Sequence, residues 1–194
     1  MPVVHLIAAS LRSDVHRDLV DAASCAAAEL DTAPGVRAAR VGRSPTHLVA
    51  AVWLAEPADL EPFAASPPHM NFVMRGLAPA IQGMWSASVA VDREPPPADV
   101  GSLAHAALWV CAVPEADGIF EWQIRRQLDL IDGLAGNAWL GPTIEERERY
   151  RAGGVVLLAA EEIEPFEAAL AAADGDSLLL ETALAPFAAE RAPS

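Results

Sequence analysis

The feature that most constrains this chain is a repeat. Residues 103–111 (LAHAALWVC) match residues 3–11 (VVHLIAASL) at a shift of 100 positions, and residues 162–166 (EIEPF) echo residues 59–63 (DLEPF). Self-similarity at that scale predicts one structural unit used twice. A duplicated half-barrel can cover, with its second copy, the sheet face that a lone unit would bury by dimerising. At 194 residues and 53% hydrophobic content the chain has enough apolar side chains for a sizeable core.

The first half sets the pattern. Residues 3–10 (VVHLIAAS) read as an inner strand. Asp14 is placed to cap a helix over residues 15–30, in which Val15, Leu19, Ala22, Ala26 and Leu30 recur at helical spacing, and Pro34 with Gly35 ends it. Residues 36–41 and 46–54 read as the second and third strands around a turn at 42–45. Pro57 opens a second helix that runs to residue 65 and stops before Pro67 and Pro68, because a residue preceding proline disfavours helical angles. Residues 84–91 give a fourth strand. Strand, helix, strand, strand, helix, strand is the split βαβ order of ferredoxin-like domains.

The segment 93–101 (REPPPADVG) has a linker's composition. Beyond it the sequence predicts a helix over 119–131, strands at 138–140 and 155–159, a helix over 162–173 and a closing strand at 177–184. The expected fold is therefore α+β, with two tandem ferredoxin-like units forming an intramolecular dimeric-type α/β barrel. The first unit spans 1–92 and carries the site, the linker spans 93–101, a degenerate second unit spans 102–188, and 189–194 form a tail.

Charge narrows the partners. Thirteen basic against 27 acidic side chains give a net charge of -14, which opposes binding to nucleic acid and to an anionic membrane surface. No apolar run approaches the ~20 residues needed to span a bilayer, and no leader pattern opens the chain. The expectation is a soluble, cytoplasmic protein whose partner is a small molecule. Cys25 and Cys111 fall in helical and strand patterns, as expected of buried reduced thiols.

The chemistry points to histidines. His69 follows a rigid proline pair in an apolar surround, and His5 and His47 lie in strand patterns of the same half. An imidazole with a pKa near its usual value of about 6.5 is neutral at neutrality and can take a proton. His69 reads either as a general base or as a ring bonded to a loop carbonyl. His5 and His47, on neighbouring strands taken as parallel, read either as lining one pocket or as satisfied core residues. Trp53 shares strand parity with His47, and with Met70, Phe72 and Met74 it would form a cavity wall suited to an aromatic or polyketide-like ligand. His105 repeats His5 and reads as structural, and His16 as surface. No histidine pair has a tight metal-ligand spacing, and the phosphate-loop and nucleophile-elbow motifs are absent, so no metal and no cofactor are expected.

Residues 1–7 (MPVVHLI), 46–49 (THLV) and 68–72 (PHMNF) together resemble the opening strand, the third strand and the proline–histidine element of the dimeric α/β-barrel proteins of the stress-responsive A/B-barrel family. The resemblance covers the first 92 residues. It implies the cofactor-free aldol cyclisation of a linear poly-β-ketone carried out by polyketide cyclases of that family, with His69 matching the general base and His5 and His47 in the same pocket. Phe63 stands where those cyclases carry the tyrosine that partners the base, and Ala172 occupies the second-half counterpart of His69, so one site per chain is expected. The expected function is a cofactor-independent polyketide cyclase-like enzyme or related lyase. A noncatalytic small-molecule-binding or stress-associated barrel protein and a cofactor-free monooxygenase of the antibiotic-biosynthesis type are the alternatives, and homo-oligomers are compatible with each.

Overall fold

A computed structural model of the chain describes residues 1–96, 105–112, 129, 137–144, 150–173 and 179–185. The first half contains β1 (Val3–Leu11), α1 (Arg17–Ala27), β2 (Val36–Arg43), β3 (His47–Leu54), α2 (Leu60–Ala64), α3 (Pro67–Asn71) with a π-helical turn at Phe72–Leu77, and β4 (Ile81–Ala90). Its strands form an antiparallel sheet in the order β2-β3-β1-β4. The second half contributes β5 (His105–Ala112), β6 (Ala138–Pro142), β7 (Tyr150–Leu158), α4 (Ile163–Ala173) and β8 (Leu179–Ala185), with the matching order β6-β7-β5-β8. The two units are ferredoxin-like, as the order of elements predicts. Apart from residue 129, the helix expected over 119–131 lies outside the described residues, as do most of the linker and the tail.

The echoed pentapeptide is a helix-entry device in both halves. The Asp59 carboxylate accepts a hydrogen bond from the backbone N–H of Glu56 at 3.1 Å, and the Glu162 carboxylate accepts one from that of Ala159 at 2.7 Å. Each acid thereby satisfies a backbone donor at the start of its helical segment. Phe63 and Phe166, four residues after these acids, are each only 1% exposed.

Three expectations are corrected. Helix α1 starts at Arg17, because the His16 ring, not Asp14, caps it by accepting from the Asp18 N–H at 3.3 Å; Asp14 instead lies 3.9 Å from the Arg12 guanidinium. Pro67 and Pro68 do not follow the end of the last helix of this half but open a new one. Ser66 is extended at ψ 148°, as a residue before proline prefers, and its Oγ accepts from the His69 N–H at 3.4 Å. The prolines fill first-turn positions whose N–H groups have no intrahelical partner. Finally, Cys25 is a free thiol, but an exposed one, on the outer side of α1.

The first sheet is covered on both faces. Alternate residues Val4, Leu6, Ala8, Val49, Ala51, Trp53, Ala87 and Val89 pack against Trp139, Val155, Leu157, Ala183 and Ala185 of the second sheet. The opposite set, including Val3, Ile7, Ala9, Leu48, Ala50, Val52 and Leu54, packs against α1, Phe63 and Phe72. This explains why β1 and β3 read as nearly unbroken apolar runs. The Trp53 and Trp139 rings meet edge to face at 5.8 Å and 85°.

The halves also join edge to edge. Val89 of β4 bridges Thr143, and the Ile144 N–H donates to the Ser88 carbonyl at 2.9 Å. Gly141 passes so close to this edge that a Cβ would sit on the carbonyl oxygen of Ala90. Gly83, in the exposed start of β4, has open space instead. Gly141→Ala should therefore lower the unfolding free energy by about 1–3 kcal/mol in urea titrations, while Gly83→Ala should stay within about 0.5 kcal/mol of the parent.

Candidate functional site

The site is built on the helix-covered face of the first sheet. His5 interrupts the apolar run of β1, and the pairing register sets it directly opposite Ser88 of β4. His5 Nδ1 and Ser88 Oγ share a hydrogen bond of 2.9 Å. Ser88 is 5% exposed, and its neighbours Ala87 and Val89 point to the other face of the sheet. Desolvation, with a smaller contribution from the charge of a protonated His69, pushes the His5 pKa down to about 4.

His69 approaches from above, on the first turn of α3. Helix α2 ends at Ala64, whose carbonyl has lost its intrahelical partner. His69 supplies the missing donor: Nδ1–H donates to the Ala64 carbonyl at 3.0 Å. A carbonyl only accepts, so Nδ1 carries the proton and Nε2 keeps its lone pair. Burial lowers the His69 pKa below the usual imidazole value, and the Ala64 hydrogen bond opposes part of that shift.

Phe63 lies beside both imidazoles. Its ring centroid is 4.8 Å from that of His69 and 5.6 Å from that of His5, and the two histidine rings are 6.0 Å apart in an edge-on arrangement. The result is a trio of one neutral base, one half-buried imidazole and one apolar wall. Such a group can remove a proton at His69 Nε2 while Phe63 limits hydration of the base. Ile144 extends this side from the second half, packing against the helix-side core while its N–H holds the Ser88 carbonyl.

His5, His69 and Phe63 are thus brought together, whereas His47 is not. Strands β1 and β3 run antiparallel, with His5 opposite Val52 and His47 opposite Ser10, five residues further along β1. That register separates them by roughly 17 Å along the strand. Strand parity also puts His47 with Val49, Ala51 and Trp53, on the face toward the second sheet. The expected wall of Trp53, Met70, Phe72 and Met74 does not form either. Trp53 is fully buried between the sheets, Phe72 is fully buried on the helix side, and Met70 and Met74 are 46% and 61% exposed on the outside of the helical segment. Ser88 and Ile144 were not anticipated. Ser88 is one of two serines in β4, and only the pairing register singles it out as the one opposite His5. Ile144 had no signal, because its partner lies in the other half.

Among the described residues, no three His, Cys, Asp or Glu side chains gather to hold a metal ion. No helix among them is long and apolar enough to cross a membrane.

No protein-family model matches the sequence, and no curated protein matches it. Solved structures do match in fold. An anthrone oxidase-like protein aligns with a TM-score of 0.60 at 9% identity, over 96% of this chain and 90% of its own. A candidate chlorite dismutase gives 0.59 at 10% identity, over 97% and 95% of the two chains. A candidate monooxygenase of Fusobacterium nucleatum gives 0.55 at 10% identity, over 96% and 91%. These alignments take in both halves, so the whole chain has the ferredoxin-like dimeric-barrel fold. The narrower resemblance to the A/B-barrel family rests on the three short motifs alone.

The depressed pKa of His5 has a defined consequence for stability. Between about 4 and the unfolded value of about 6.5 the unfolded chain binds the proton and the folded chain does not, so this contribution is fully present above that window and is lost as pH falls through it. The contribution is of order 3 kcal/mol. Urea midpoints measured at pH 7.5 and pH 5 should fall on acidification in the parent, and the drop should be smaller in His5→Gln.

Proposed function

We propose that this chain is a small-molecule enzyme in which His69 Nε2 abstracts a proton from an activated carbon, with Phe63 shielding the base and His5 kept neutral beside it. The observation that carries the reading is the bond from His69 Nδ1–H to the Ala64 carbonyl, which leaves Nε2 as the free acceptor. The lowered pKa supports it, since His69 is then unprotonated at neutrality.

The finer reading is a polyketide cyclase-like step without cofactor. His69 takes a proton from a carbon between two carbonyls, and the electron pair of that C–H bond becomes an enolate. The enolate attacks a ketone carbon further along the same chain, forming a C–C bond, and the resulting alkoxide takes a proton back from the His69 imidazolium. A second reading shares the first step: the carbanion meets molecular oxygen instead of a ketone, as in a cofactor-free oxygenase. The fold neighbours named for an anthrone oxidase and a monooxygenase favour keeping it.

The two readings separate in one experiment. A linear triketo ester and a phenolic carbon acid are offered to the parent and to His69→Ala, with absorbance and an oxygen electrode read together. Cyclisation without oxygen uptake, lowered about 10²–10⁴-fold in a folded His69→Ala, is the expected result. Oxygen uptake matching the loss of the phenol selects the second reading, and turnover unchanged by the substitution refutes both. In the parent, kcat/KM should rise with pH to a plateau at neutrality, because the base must lose its proton and its pKa lies below the usual imidazole value.

A further inference from the structure

The end of the first sheet remote from His5 holds a depression of about 710 Å³. It is lined by the end of β1 and the residues after it, the start of α1, the β2–β3 turn and Gln82 of β4. Three guanidinium groups, from Arg12, Arg17 and Arg43, lie on this lining, and no Asp or Glu does. In a chain with 27 acidic and 13 basic side chains that is a local reversal of charge.

Two carboxylates outside the lining pair with the arginines. Asp21 accepts from Arg43 Nη1 at 2.6 Å and lies 3.5 Å from Arg17 Nε, tying the start of α1 to the end of β2. Asp14 lies 3.9 Å from Arg12 Nε. Each contact engages one edge of a five-donor fork, so donors remain for a ligand. Arg12 and Arg43 side chains are 45% and 40% exposed, while Arg17 at 83% belongs to the rim.

Hydroxyls and an imidazole complete the wall. His47 Nε2 lies 3.4 Å from Ser10 Oγ and His47 Nδ1 3.0 Å from Thr46 Oγ1, a short row in which the hydroxyl that accepts the imidazole N–H keeps its own proton for a ligand oxygen. Planar forks with flanking hydroxyls match the several acceptor oxygens of a phosphoryl group better than the two of a carboxylate. The volume suits a ligand of nucleotide or sugar-phosphate size. The overall charge of -14 disfavours a long polyanion but not a single small dianion.

We propose that this depression binds the phosphoryl group of a small organic phosphate, gripped by Arg12 and Arg43, steered by Arg17 and contacted by the Ser10–His47–Thr46 row. The site is separate from the His69 trio and stands or falls without it.

Calorimetric titration of the full chain with phenyl phosphate and with benzoate tests the assignment. Phenyl phosphate should bind saturably, more weakly as salt rises, and about tenfold more weakly in Arg12→Ala and in Arg43→Ala. His69→Ala should bind as the parent does, and Asp21→Asn should bind more tightly, since it removes a negative charge and frees two guanidinium edges. Arg12→Ala, whose carboxylate contact is the long one to Asp14, carries the test if Arg43→Ala unfolds. The proposal is overturned by absence of saturation, by affinities unchanged in a folded arginine variant, or by benzoate binding as tightly as phenyl phosphate.

Discussion

Burial of the first sheet on both faces is the constraint on which the rest of the structure depends. Strands β1 and β3 have helices on one side and the second sheet on the other, so most side chains along them meet a packed surface. Apolar groups gain by this, and polar groups survive only where a partner is built in. The tryptophans illustrate both outcomes. Trp139 Nε1 donates to the Glu94 carbonyl at 2.7 Å, whereas Trp53 Nε1, fully buried, has no partner among the described residues. An unsatisfied donor costs about 1–3 kcal/mol. Burying 150–250 Å² of indole returns roughly 4–6 kcal/mol at about 25 cal/mol per Å². Area wins, and Trp53 stays in the interface.

The same constraint explains how the histidines are held. His5 occupies a position where a charge would be costly, so it is kept neutral and bonded to Ser88. His69 solves a different problem. The break between α2 and α3 leaves the Ala64 carbonyl without a helical partner, while Ser66 and the two prolines fix the direction of the new helix. The His69 ring folds back onto that carbonyl, and the tautomer needed for a base follows from satisfying a helix end. One interaction serves both the local fold and the proposed chemistry, so the two readings of His69 were never exclusive.

Much of the fold was legible because burial on two faces writes unbroken apolar runs. The strands of the first half, their order and the echoed helix entry all follow from periodicity and motif. What failed depended on direction and register. Placing His5 beside His47 required their strands to run parallel, but antiparallel pairing sends them to opposite ends and opposite faces. The pre-proline restriction does stop a helix before Pro67 and Pro68, but its complement, the fitness of proline for a helix's first turn, lets a new one begin there. Met70 and Met74 resembled a cavity wall by composition alone, yet the helix that carries them turns them outward.

The second half lacks a counterpart of His69, but it does more than cover the first. A lone unit would leave β4 as an open edge, with backbone groups free to pair with another chain. Here Thr143 and Ile144 take up that edge at the residues that matter, for the Ser88 whose hydroxyl meets His5 has its carbonyl held by Ile144. The backbone of one half thus fixes the hydrogen-bond partner of an imidazole in the other. The tight passage of Gly141 against Ala90 lets the segment come close enough to do so. With both ferredoxin-like units in one chain, the second serves as wall and edge clamp. The candidate site is then a property of the joined halves, although its side chains come almost entirely from the first.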